Sequence, residues 1–289
     1  MMTVVLIVIV GILFFFVCLI LSIPLTKKHL IIDSEKPSDF GLDFEEVRFN
    51  STDGIPLYGW WMPTIGSRRT VIFLHGFAGS MVPDLKYVLS FHNAGYNVLM
   101  FDFRAHGRSQ GTHSSLGALE VRDALGAIAF AKTKGSDKTG LLGFSMGGRT
   151  ALMTAALKPG IDAVISDGGP LRLRTAITED IKRRKLPGFL SPSLAWMILL
   201  GASVRLGINL FKHDPIQVAE KLQTLPVYFI HGDKDRYTHL IELETMVRKS
   251  GNKAQFWRVS EAGHREIDQF YVDEYIQRVI GFFDNWMYE

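Results

Sequence analysis

Cysteine is almost absent from this chain. Of 289 residues only Cys18 is one, so a disulfide framework within the chain and a cysteine-ligated metal site are both excluded. Charge is balanced. A net charge of +3, with no basic run interleaved with aromatics, gives no reason to expect nucleic acid as a partner. No H-E-x-x-H spacing occurs, which argues against a metal hydrolase. Neither G-x-x-x-x-G-K nor G-x-G-x-x-G occurs, so the glycines do not read as a nucleotide cradle, and no cofactor or metal is expected. There is no low-complexity tract and no internal repeat. With 47% hydrophobic residues, the composition is that of a folded protein.

One stretch lacks charge altogether. Val4 to Leu21 reads VVLIVIVGILFFFVCLIL. At about 1.5 Å per residue, Thr3 to Leu25 is long enough to cross a hydrocarbon core of about 30 Å. A cleaved signal peptide is the competing reading. Against it, no basic segment precedes the run, no A-x-A site follows it, and the run exceeds the usual length. Residues 1–25 are therefore expected to be an uncleaved single-pass membrane anchor, and residues 26–44 a linker. Lys27 and Lys28 follow the run and nothing basic precedes it, which points to a cytoplasmic location for the domain that follows, with the opposite side left open.

Beyond residue 45 the pattern is one of strands and helices. Glu46–Asn50 and Ile55–Met62 read as strands joined at Ser51-Thr52-Asp53-Gly54, a hairpin. Apolar runs then alternate with helical spacing. Strands are expected at Thr70–Leu74, Tyr96–Phe103, Thr139–Phe144 and Ile161–Ile165, and helices at Leu85–Asn93, Leu116–Lys132 and Met146–Leu157. Such alternation implies right-handed βαβ units, a buried parallel sheet, and ligands beyond the carboxyl ends of its strands. Between about 171 and 221 it breaks. Two helical stretches joined around Pro187-Gly188 and Pro192 read there as a cap, the first basic (Lys182 to Lys185), the second, Leu194 to Phe211, mostly apolar. The basic stretch reads first as a solvated helix face and second as a site for anionic lipid. Strand Pro226–His231, helix Leu240–Lys249, strand Ala254–Val259 and a last helix with Val272, Ile276, Val279, Phe283 and Trp286 on one face complete the pattern.

Gly143-Phe144-Ser145-Met146-Gly147 sits where an expected strand meets an expected helix. A sharp turn there projects a serine hydroxyl into a site, and the flanking positions favour residues without bulk. The start of the helix adds N–H groups and a dipole that stabilise negative charge. A serine nucleophile needs a base. His264, in the loop between the last expected strand and the final helix, is the best placed of nine histidines. The base needs an acid to fix its tautomer. His231-Gly232-Asp233-Lys234-Asp235 follows a strand, and Asp235 is preferred there. Asp233 is expected to shape the turn, and Asp167 is the weaker alternative.

The order Ser145, Asp235, His264 resembles the α/β-hydrolase superfamily, whose triad runs nucleophile, acid, histidine. His75-Gly76-Phe77 is similar to its HG-x oxyanion motif. Asp102-Phe103-Arg104-Ala105-His106-Gly107-Arg108-Ser109 is similar to its D-x-R-G-H-G-x-S stretch, with Ala105 in place of the usual glycine. The resemblance covers residues 45–289. It implies an α/β-hydrolase fold: a mostly parallel eight-stranded sheet, helices on both faces and a small helical cap. It also implies an oxyanion hole from the backbone N–H groups of Phe77 and Met146, with Gly76 allowing close approach. Serine at the elbow argues against the halide-removing relatives, which use aspartate. The expected activity is hydrolysis of carboxylic esters or thioesters of a small-molecule acyl substrate through an acyl-enzyme. Cleavage of short peptides and a non-catalytic scaffold are the alternatives. Trp196, Met197, Ile198, Leu199 and Leu200 of the second cap helix are candidates for an acyl pocket wall, with packing on the core as the equal alternative.

Overall fold

The chain opens with α1 (Met2–Thr26), an apolar helix exposed to solvent from Val4 to Val17. The computed structural model describes residues 2–31, 33–157, 160–184 and 188–288. Lys185 and Pro187, singled out above, lie outside the described residues. β1 (Glu45–Asn50) and β2 (Pro56–Met62) form the expected antiparallel hairpin. Ser51 Oγ donates to Asp53 and accepts from the Ile55 N–H at 2.8 Å, which closes the turn. Then follow β3 (Arg69–Leu74), α2 (Val88–Asn93), β4 (Asn97–Phe101), α3 (Glu120–Thr133), β5 (Lys138–Phe144), α4 (Met146–Leu157) and β6 (Ala163–Asp167). α5 (Leu173–Arg183) and α6 (Ser191–Leu206) stand between β6 and β7 (Val227–Gly232). α7 (Leu240–Lys249), β8 (Ala254–Val259), α8 (Ile267–Phe270) and α9 (Val272–Trp286) end the chain.

The eight strands form one sheet in the order β1-β2-β4-β3-β5-β6-β7-β8. β1 and β2 are antiparallel to their neighbours, and all later pairings are parallel. This is the α/β-hydrolase fold. β4, β5 and β6 are buried on both faces, as a sheet covered on both sides by helices requires. One core lies under α2 and α9 and the other under α3, α4 and α7. Val279 and Phe283 of α9 sit in the first, Ala124 and Ile128 of α3 in the second.

Three expectations need correction, the first being that the helix expected over Leu116–Lys132 begins at Glu120, since Leu116 and Gly117 take positive φ of 57° and 90°. The helix expected from Leu85 begins at Val88, because Val82–Tyr87 winds as a tighter 3-10 segment. The Met81 N–H donates to the buried Asp102 carboxylate at 3.0 Å, and Asp84 is turned inward towards Arg265. The second helix of the insertion ends at Leu206, where Gly207 takes a left-handed φ of 66° and caps it, rather than continuing to Phe211.

Residues 26–31 are held against the domain by its backbone. The Ser114 N–H donates to Thr26 O, the His29 N–H to Ala105 O, and the Gly107 N–H to His29 O. α1 becomes buried at Cys18, Ser22 and Thr26, where it packs on α6. The helices cross closely: a Cβ on Gly201 would lie 2.0 Å from the Cys18 carbonyl oxygen.

Candidate active site

Ser145 stands between β5 and α4 with φ of +52°, in the left-handed region, and its N–H donates to Asp167 O at 2.8 Å. The turn is tight because its neighbours have no Cβ. One on Gly147 would fall 1.7 Å from Leu74 O, and one on Gly143 2.2 Å from Gly147 O. Gly76 is different. A Cβ there would meet Ser145 Cβ at 3.6 Å, an ordinary contact. The close approach expected at Gly76 is instead required at Gly143 and Gly147.

His264 reaches Ser145 from the loop after β8. Its Nε2 lies 2.8 Å from Ser145 Oγ, and its Nδ1 2.7 Å from Asp235 Oδ2. A carboxylate only accepts, so Nδ1 carries the proton and Nε2 is free to accept from the serine hydroxyl. Two backbone bonds stitch the loops after β7 and β8 together. Asp233 N–H donates to Val259 O, and Lys234 N–H to Ala262 O, both at 2.9 Å. Gly232 permits this approach, since a Cβ there would fall 2.3 Å from Ala262 O. Asp235 Oδ1 accepts from the Tyr237 N–H at 2.8 Å, which orients the carboxylate. The Tyr237 ring stands edge-on to His264 at 4.7 Å.

The other two aspartates do different work. The Asp233 side chain faces outward and pairs with Arg258, so the turn-shaping expected of it belongs to its backbone and to Asp235. Asp167 is buried and accepts from Tyr275 OH at 2.8 Å, and burial raises its pKa to about 6. It touches the site through its backbone oxygen rather than its carboxylate.

Arg265 was not anticipated from the sequence. It follows His264 with φ of +56° and donates to the buried Asp84 at 2.8 Å. Its guanidinium also lies 4.1 Å from the centre of the Phe144 ring. Burial works against its charge, yet Asp84 and Asp167 beside it raise its pKa above the ordinary value. The arginine thus pins the histidine loop from below. Gly263-His264-Arg265 carried no local signal for this, because Asp84 is 181 residues away.

The turn after β3 is held by two neutral histidines. His75 donates from Nδ1 to Gly76 O at 2.7 Å and accepts the Phe103 N–H on Nε2 at 2.9 Å. His106 donates from Nδ1 to Arg104 O at 2.8 Å and accepts the Ala78 N–H at 3.3 Å. Burial lowers the pKa of each to about 4, which keeps Nε2 available as an acceptor. Ala78 and Ala105 both adopt positive φ, +55° and +57°. Ala105 thus sits in the backbone geometry that favours the glycine it replaces. Phe77, in this turn, and Met146, first residue of α4, are the two residues whose N–H groups were expected to face the site.

A cavity of about 530 Å³ opens at Ser145 and His264. Its lining is mainly aliphatic, with Ile177 and Ile181 from α5 and Leu194 and Ile198 from α6. Of the candidates on α6, Ile198 faces the cavity. Leu199 is buried against α5, and Trp196 is half exposed and packs on Phe211. Lys182, Arg183 and Arg184 pair with Glu179 and Asp180 along α5. Among the described residues, no cluster of three His, Cys, Asp or Glu side chains is placed to hold a metal.

A family model described as the alpha/beta hydrolase fold matches residues 69–198. The protein YqkD of Bacillus subtilis is 27% identical over 266 residues, covering 82% of this chain and 84% of that one. The protein YfhR of Salmonella typhimurium is 33% identical over 140 residues, 43% of this chain and 48% of its own length. The match to YfhR thus spans about half of that relative. A solved structure of the Pyrococcus furiosus esterase Pf2001 superposes with a TM-score of 0.77 at 25% identity, covering 91% of this chain and 98% of the esterase. In fold, and in sequence over residues 69–198, the chain is similar to the α/β-hydrolase superfamily. Kinship and fold together support hydrolytic activity.

Proposed function

We propose that the protein is a serine hydrolase that cleaves carboxylic ester or thioester bonds through an acyl-enzyme. The observation that carries this reading is the unbroken relay Ser145 Oγ, His264, Asp235, with links of 2.8 and 2.7 Å. His264 Nε2 takes the hydroxyl proton as Ser145 Oγ attacks the acyl carbon. Asp235 stabilises the imidazolium that forms. The oxyanion is met by the backbone N–H groups of Phe77 and Met146, and losing one such donor typically costs roughly 3 kcal/mol. The tetrahedral intermediate collapses as His264 returns the proton to the leaving alcohol or thiol. Water, activated by the same imidazole, then attacks the acyl-serine and releases the acid.

The aliphatic cavity beside Ser145 favours an acyl chain over a polar peptide. The similar structure of Pf2001 is that of an esterase, which agrees with that preference. α1, of 25 residues without charge, is read as a membrane anchor, with α5 and α6 as a cap over the site. Lys27 and Lys28 favour the cytoplasmic side for the hydrolase domain.

A fluorophosphonate probe tests the chemistry. Wild type is expected to be labelled and Ser145→Ala not. Beside it, p-nitrophenyl esters are expected to turn over faster than peptide p-nitroanilides. A folded wild type that resists the probe would return the chain to the scaffold alternative, and a preference for anilides would make it a peptidase.

A further inference from the structure

An anchor needs only length and apolarity, but the last two turns of α1 do more. Leu21, Pro24 and Leu25 line the same cavity as Ser145 and His264. Leu25 also packs on the cluster formed by α5, α6 and Leu116. The end of the helix cannot swing away freely, because the bonds at Thr26 and His29 tie it to the loops after β4. His29 extends that tie to the catalytic turn. Its ring stacks on His106 at 5.1 Å and meets Phe77 edge-on at 4.8 Å. Burial, with His106 and Lys27 nearby, lowers the His29 pKa to about 4, so it packs there as a neutral ring.

The cavity wall continues out of the domain. Counting back from Leu25, steps of four, four, three and four give Leu21, Val17, Phe14 and Val10, which share one face of the helix. Val17, Phe14 and Val10 are exposed, at 44%, 42% and 56%. One aliphatic and aromatic stripe therefore runs from the part of α1 read as bilayer-embedded to the wall of the catalytic cavity. Trp196 and Val204 of α6 add further exposed apolar surface, at 43% and 47%.

We propose that α1 is a structural wall of the acyl site, and that the substrate is a hydrophobic single-chain acyl ester or thioester drawn from the bilayer along that stripe. The inference rests on the esterase reading above and deepens it. The apolar chain lies against Leu21 and Leu25, and its carbonyl is set at Ser145. A chain dissolved in the membrane then never has to cross water to reach the nucleophile.

The test uses the full-length chain in phosphatidylcholine vesicles with p-nitrophenyl esters from acetate to palmitate. Rates are taken per active site titrated with a short ethyl fluorophosphonate, so a misfolded fraction drops out. Leu21→Trp and Leu25→Trp fill the wall and are expected to lower the dodecanoate-to-acetate ratio of kcat/KM by about tenfold or more. Leu25→Ala is expected to shift the preferred chain to greater length. A ratio that stays within about twofold of wild type in both tryptophan variants, while the sites still titrate, overturns the proposal. If the wild type hydrolyses no ester, the esterase reading fails by itself, and a diazirine at the end of dodecanoic acid decides the wall separately. Crosslinks within Leu21–Leu25 that Leu25→Trp abolishes support it. Crosslinks confined to Val4–Val17 overturn it.

Discussion

Asp235→Asn probes the relay at one atom. The Asp235 carboxylate has two occupied oxygens. Oδ1 accepts from the Tyr237 N–H at 2.8 Å, and Oδ2 accepts from His264 Nδ1 at 2.7 Å. An asparagine must still offer an acceptor to the Tyr237 N–H, so its oxygen takes the Oδ1 position and its NH₂ faces His264. Nδ1 then has to accept, the ring proton moves to Nε2, and Nε2 meets Ser145 Oγ as a donor. The base is lost without loss of shape. The expected effect is about four orders of magnitude in kcat/KM, roughly 5.5 kcal/mol of transition-state stabilisation. Stability should change by only about 1 kcal/mol, because both hydrogen bonds of residue 235 survive, the one from Tyr237 unchanged and the one to His264 with donor and acceptor exchanged. The assay is initial-rate hydrolysis of a p-nitrophenyl ester over a range of pH, with thermal unfolding alongside. Asp233→Asn is the paired control. Its side chain pairs with the exposed Arg258, so activity is expected to stay within about twofold. A loss of less than about tenfold in Asp235→Asn, or a larger loss in Asp233→Asn, would refute the reasoning.

Other expectations follow from the turn at Ser145, the turn after β3 and the buried histidines. Gly147→Ala puts a Cβ 1.7 Å from Leu74 O, so α4 must move off β3. About 3 kcal/mol of stability should be lost, read by denaturant unfolding, while Gly76→Ala, with its nearest contact at 3.6 Å, should lose far less. Phe77→Ala keeps the backbone donor and should reduce turnover much less than Ser145→Ala, which an ester assay separates directly. His75 is buried with its pKa lowered from 6.5 to about 4, so its contribution to stability is full above pH 6.5 and is lost as pH falls towards 4. The loss is on the order of 3 kcal/mol, and Asp167, raised by burial to about 6, acts in the opposite sense over pH 4 to 6. The stability advantage of wild type over His75→Gln should therefore shrink by that amount between pH 7 and pH 4. An advantage independent of pH would mean that His75 is not buried in its neutral form.

Much of this architecture is written in short-range pattern. Buried parallel strands read as apolar runs, and α4, α7 and β8 have the bounds that their sequence patterns suggest. The geometry at Ser145 was legible because Gly143 is demanded by a contact within the motif itself, at Gly147 O, although Gly147 is demanded by Leu74 O at the end of β3. Separating Asp235 from Asp233 was harder. Both follow β7, and their roles differ only in which way the loop turns, which depends on the stitching between the loops after β7 and β8. His75 and His106 lie in motifs that the sequence shows, but what they and Arg265 hold in place depends on partners far apart in the chain, which no single window of sequence reveals. α1 was the hardest. A helix apolar on every side reads only as a membrane segment. Its face towards the cavity emerges from Gly201, which lets α6 close on Cys18.

The most direct measurement is the fate of Ser145 during turnover. Rapid mixing of the protein with a p-nitrophenyl ester should release a burst of about one p-nitrophenol per site, and acid-quenched protein should carry the acyl group on Ser145 by peptide mass. A burst with the acyl mass on that residue is the expected result. Steady hydrolysis with no acylated peptide, or an acyl group on another side chain, would contradict the account.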